Sequence, residues 1–232
     1  MEAEMNRDNA LKLLVEAALP HVAFEGWSEA ALREAIPDSG VPPGLARALV
    51  PRGGIDLALA YHHQGDAAMV AALTATDLSA LRFRERVTLA VRLRLQDADR
   101  EVVRRGTALF ALPQHAADGA KAIWGTADAI WNALGDASQD VNWYSKRATL
   151  SAVYGATVLY WLGDDSEGHV ATWEFLDRRI ENVMAFEKTK AAFRENPIGK
   201  ALLAGPLKLL ERIHAPQKGQ DLPGQSAKGF GA

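Results

Sequence analysis

The chain has 232 residues, 48% hydrophobic and 24% charged, the balance of a globular domain rather than of a disordered or membrane-spanning chain. Its net charge of -3 removes any whole-molecule attraction to nucleic acid or to an acidic bilayer, so binding of either kind has to come from a local patch. Cysteine is absent, which excludes disulfides, thiolate metal sites and cysteine nucleophiles.

Helical periodicity runs through almost the whole chain. The first predicted helix starts near Asn9, with Leu11, Leu14, Val15, Ala18, Leu19 and Val22 at three- and four-residue steps. Ser28 is placed to cap a second helix, and Pro43 suits the first turn of a short third one. A longer helix is expected over 55–75, with Ile55, Leu59, His62, Met69, Val70 and Leu73 on its buried stripe, and another over 81–98. The segment 113–134 carries Ile123, Ala127, Ile130 and Leu134 on one stripe. Its many intervening Ala and Gly residues either let helices approach closely or leave volume between them. Helices are then expected over 141–162 and 165–188, with Gly163 as a cap between them. The first of these is apolar nearly all round, so it has to be enclosed by other helices or line something apolar. Its apolar run, 150–162, is too short for a bilayer core that needs about 20 residues. No alternating strand pattern stands out.

The expected architecture is all-α: a helix-turn-helix-like three-helix unit over 8–55, a helical body over 56–190, an amphipathic helix over 191–215 and a disordered tail over 216–232. The head unit is arranged as in TetR-type repressors, yet its recognition segment offers only Arg47 and Arg52 as cations. Eight arginines between 82 and 105 alternate with acids and are expected to form a salt-bridged solvent face. For catalysis the chain presents no candidate set. His62 and His63 diverge on a helix, Glu211 and His214 form one E-x-x-H pair where a di-iron bundle needs two, and neither a phosphate loop nor a nucleophile elbow is present. A non-enzyme with no cofactor and no metal is the expectation. In the C-terminal segment, Ile198, Leu202, Leu209 and Ile213 form an apolar side flanked by Lys200 and Lys208, a composition suited to an anionic interface.

The stretch from Asp140 to Val183 carries N-W-Y-S-K-R at 142–147, D-S at 165–166 and T-W-E-F-L-D-R-R-I at 172–180. It resembles the signature of the Coq-nine proteins, lipid-binding accessory factors of ubiquinone (coenzyme Q) biosynthesis, and the likeness extends over roughly 8–190. The resemblance implies a TetR-like fold without nucleic-acid binding that holds an isoprenoid lipid or phospholipid and presents quinone intermediates to the demethoxyubiquinone hydroxylase. On that basis Ile123, Ala127, Ile130, Tyr144, Ala148 and Leu159 are expected to contact lipid. Trp143, Arg147, Trp173, Leu176 and Arg179 are expected to meet the partner, and the C-terminal residues above to meet the membrane. Eukaryotic members carry an organelle-targeting leader. The acidic first residues here instead imply a bacterial member, peripheral to the inner face of the cytoplasmic membrane, and a homodimer is left open. The alternative is a TetR-type transcriptional regulator with a hydrophobic effector pocket.

Overall fold

The computed structural model describes residues 6–195 and Ala215, with side chains through 183. Nine α-helices are present among the described residues, with no strand: α1 Arg7–Glu25, α2 Glu29–Ser39, α3 Pro43–Leu49, α4 Gly54–Ala75, α5 Phe83–Leu95, α6 Arg100–Phe110, α7 Ala116–Ala133, α8 Val141–Leu162 and α9 Val170–Glu195. No described helix is long and apolar enough to cross a membrane.

The helix starts follow from their caps. Ser28 Oγ accepts from the Ala31 N–H, satisfying one of the amides that α2 leaves without an internal partner. Asp99 does the same for α6, accepting from the amides of Glu101 and Val102. That cap starts a helix over Arg100–Phe110, a stretch between the helices expected over 81–98 and 113–134 for which no helix was expected. The helix expected from position 165 begins instead at Val170, after a single 3-10 turn over Glu167–His169. The Asp164 carboxylate holds the turn by accepting from the Ser166 N–H at 2.8 Å, the Thr172 N–H at 2.9 Å and the Thr172 hydroxyl at 2.6 Å.

Two apolar clusters form the interior. The first joins α1, α2 and α3 to Leu57 and Ala58 of α4 and to Val102 of α6, so the head unit shares its core with the body. Within this junction the Trp27 indole N–H donates to the Val102 carbonyl at 3.2 Å. The second cluster gathers Met69 and Leu73 with residues of α5, α7, α8 and α9. Helix α4 belongs to both; its 22 residues span about 33 Å and act as a common spine. The boundary expected between 190 and 191 is crossed by α9, which continues as helix to Glu195. Of the expected amphipathic helix and tail, Ile198, Lys200, Leu202, Lys208, Leu209 and Ile213, together with 216–232, lie outside the described residues.

Candidate functional site

Helices α4, α6, α7 and α8 do not close completely on one another. Between them lies a cavity of about 410 Å³ whose walls are mostly apolar, among them Trp27, Val102, Phe110, Ile123 and Val158. Its volume falls in the range of small-ligand sites. The small residues of α7 serve both of the purposes that were open in the sequence. A Cβ on Gly119 would stand 2.7 Å from Phe110 Cβ, so this glycine permits the close approach of α6. Ala120 and Gly155 instead face the cavity and leave it empty of side chain.

The cavity is polar at its buried end. Arg94, 6% exposed, donates from Nε to Asp66 at 2.7 Å and from Nη2 to the His62 carbonyl at 3.0 Å. His62 Nε2 lies 3.1 Å from the Ala122 carbonyl and 2.8 Å from the Thr126 hydroxyl. A carbonyl can only accept, so Nε2 carries the proton and Nδ1 is the acceptor that faces Arg94 Nη2 at 3.4 Å. Burial, reinforced by the charge of Arg94 and by His63, lowers His62 to about 4 despite Asp66, and the ring is neutral at pH 7. Thr126 donates to Asp66 at 2.9 Å.

The sequence alone did not single out this node. Arg94 was counted with the solvent-facing arginines, whereas it is buried. The signal was nevertheless present: Val87, Val91 and Arg94 share one stripe of α5, and His62, Asp66, Met69 and Leu73 share one of α4. Charged residues on an apolar stripe at matching depth on two helices point to a buried pair.

The six residues expected to contact lipid separate in the structure. Ile123 lines the cavity, and Leu159, 64% exposed, stands at its mouth. Ala127 and Ile130 are sealed in the second core cluster and line no wall. Tyr144 and Ala148 lie on the outward side of α8, partly and fully exposed. The choice of stripe on α8 was therefore inverted. The buried face is Arg147, Leu150, Tyr154, Thr157 and Trp161, and α8 is half-buried rather than enclosed. A further cavity of about 270 Å³ lies among α5, α7, α8 and α9, lined by Phe83, Trp131, Leu150 and Ile180 among others.

Two of the five expected partner contacts are corrected by burial. Arg147 is 1% exposed and ties α8 to α7, donating to Asp128 at 2.5 Å, to Asp136 at 3.0 Å and to the Trp143 carbonyl at 3.2 Å. Its guanidinium also lies 4.0 Å from the centre of the Trp143 ring. Burial pushes the Asp136 carboxyl up, but donors from Lys146, Ser138 and Arg147 outweigh it and hold the group at about 2. The N-W-Y-S-K-R segment is thus first of all an ionic clamp between two helices. Leu176 is 0% exposed and packs in the core. Arg179 is exposed and Trp173 is half-buried against the second core cluster: Arg92 sits 5.1 Å over the Trp173 ring, and Arg179 sits 4.8 Å over Phe175, which stacks on the exposed Tyr160.

In the recognition segment of the head unit both cations are already paired. Arg47 binds Glu29, and Arg52 bridges Asp56 at 2.8 Å and Asp118 at 3.0 Å.

The sequence profile of the COQ9 family matches residues 116–187, the part that supplies the α7–α8 clamp, the Asp164 turn and the exposed face of α9. Over these residues the chain is similar to the COQ9 family. Its relatives include the probable ubiquinone biosynthesis protein coq9, mitochondrial, of Dictyostelium discoideum, 30% identical over 78% of this chain and 62% of that one. The ubiquinone biosynthesis protein COQ9, mitochondrial, of Drosophila melanogaster is 31% identical over 75% and 55%, and that of Homo sapiens 27% over 83% and 62%. The chain thus spans between 55% and 62% of the length of these COQ9 relatives. Among solved structures, a TetR transcriptional regulator from Nitrosomonas europaea superimposes with a TM-score of 0.59 at 20% identity, over 74% of this chain and 95% of that one. At that identity the likeness concerns the fold, which over the described residues is all-α and TetR-like.

Proposed function

We propose that the chain is a non-enzymatic, lipid-binding accessory protein of ubiquinone biosynthesis. It holds an isoprenoid quinone intermediate in the α4–α6–α7–α8 cavity and presents it to the demethoxyubiquinone hydroxylase at a membrane surface. The observation that carries this reading is an apolar cavity of about 410 Å³ in the body of a chain whose relatives are named for ubiquinone biosynthesis. An empty cavity of about 150 Å³ lined by aliphatic side chains already takes up benzene. The larger one here has room for roughly a ring and one or two isoprene units, and the rest of a tail leaves past Leu159.

The partner surface in this reading is the aromatic and arginine face of α8 and α9, with exposed Tyr160 and Arg179 and half-buried Trp173 and Phe175. Such residues anchor interfaces because they bury large area with little side-chain entropy to lose. The membrane is met by the C-terminal segment with Ile198, Leu202, Leu209 and Ile213, and the protein works peripherally at the inner face of a bacterial cytoplasmic membrane. A regulator is disfavoured by the ion pairs of Arg47 and Arg52, because phosphate binding would first have to break them.

The test is an organic extract of protein purified from a quinone-producing host, analysed by mass spectrometry. Stoichiometric isoprenoid quinone or phospholipid is expected. Protein that carries none and does not respond to added quinone would sink the reading.

A further inference from the structure

The walls of the large cavity are apolar and its polar groups are gathered at one end. At that end Arg94, His62 and Tyr154 face the space, backed by Asp66 and Thr126. Arg94 and Tyr154 are 6% and 3% exposed, whereas Leu159 on the cavity wall is 64% exposed, so the polar groups lie away from the opening at Leu159.

Packing does not account for this node. A buried Arg–Asp pair is seldom more stabilising than apolar residues of the same volume, since both ions lose their water. The fold also makes room for it with Gly65 in the middle of α4, where a Cβ would lie 2.6 Å from Arg94 Cζ. Glycine weakens a helix interior, and here it lets the guanidinium lie flat against the α4 backbone.

The fixed charges of the node cancel: Arg94 stands against Asp66, and His62 is neutral. A carboxylate or phosphate brought to this depth would lose its hydration and meet no unbalanced cation. A neutral oxygen acceptor meets donors instead. Arg94 Nη1 lies outside the bonds described above, and burial pushes the Tyr154 phenol up, so it keeps its proton.

We propose that Arg94 and Tyr154, with His62 fixing the guanidinium, form a head-group reader that takes the ring oxygens of a neutral prenylated quinone or phenol entering head first, with the tail trailing toward Leu159. This orientation rests on the cavity being the lipid site and adds the residues that select the head. It shelters the reactive ring at the deep end, and the ring travels the length of the cavity before a partner can act on it.

Three probes of equal tail decide the matter with the full chain: geranyl-1,4-benzoquinone, geranylbenzene and a geranylbenzoate, titrated by calorimetry and by quenching of tryptophan fluorescence. The quinone is expected to bind about tenfold or more tightly than geranylbenzene, as hydrogen bonds to a charged donor allow, and the benzoate most weakly. In the charge-conserving double variant Arg94→Gln, Asp66→Asn, and in Gly65→Ala, which displaces the guanidinium without removing it, the quinone advantage should fall below about threefold while geranylbenzene binding persists. Equal affinities of quinone and geranylbenzene for the unaltered chain overturn the reader and leave the lipid site standing. So does an undiminished quinone advantage in either folded variant. Tightest binding of the benzoate also overturns it. If no probe binds, and the cavity-filling variant Gly155→Leu behaves like the unaltered chain, both the reader and the lipid site are lost.

Discussion

At the scale of single residues, two buried polar groups dominate the energetics. Arg147 is sealed between Asp128 and Asp136, and removing it strands carboxylates that have surrendered part of their hydration. Arg147→Ala is expected to destabilise the fold by about 3–5 kcal/mol, whereas Arg147→Met combined with Asp136→Asn, which leaves no unpaired charge at Asp136, should cost clearly less. Thermal denaturation of the three proteins checks this. His62 sets the acid behaviour. Its folded value of about 4 lies below the unfolded one of 6.5, so between these two pH values the unfolded chain binds more protons. Stability is thus fully present above about pH 6.5 and is lost as pH falls toward 4, by on the order of 2–3 kcal/mol. The apparent Tm should drop by roughly 5–10 °C over that interval, and His62→Gln should flatten the profile. Asp136 adds a separate loss only below its ordinary carboxylate range, as pH approaches about 2.

At the scale of elements, α9 separates packing from recognition by a few residues. Leu176 and Ile180 face the core, while Arg179 is exposed and Trp173 lies half-buried at the edge of that core. Trp173→Lys is therefore expected to leave the circular dichroism spectrum unchanged and to weaken binding to the hydroxylase by about tenfold or more. Unaltered affinity in a pull-down titration would remove Trp173 from the proposed interface. Helix positions and caps were largely legible in the chain itself: Ser28, Pro43 and the stripes of α1 and α4 are local signals. The 3-10 turn before α9 was not, because it depends on Asp164 reaching eight residues ahead to Thr172, which only the folded loop permits. Nor was the buried face of α8 legible. That helix is apolar on both sides, so periodicity could not say which side the neighbours would cover.

At the scale of the whole molecule, a TetR-like frame here encloses an apolar cavity, while its head unit has both candidate cations tied to carboxylates. In a gel shift at about 150 mM salt with its own upstream region, no specific complex is expected; a salt-sensitive, sequence-specific one would restore the regulator reading. The sequence by itself determined the all-α class, the positions of every described helix but α6, the absence of thiol chemistry and the signature shared with COQ9 proteins. These are properties of composition, period and local capping, which neighbours along the chain decide. Only the tertiary structure decided that Arg147 is a clamp and not a contact, that Ala127 and Ile130 are core and not wall, and that Arg94, Asp66 and His62 meet at the end of a cavity. Burial belongs to pairs of helices that are distant in sequence, and the free energy of a charge is set by what surrounds it once they have packed.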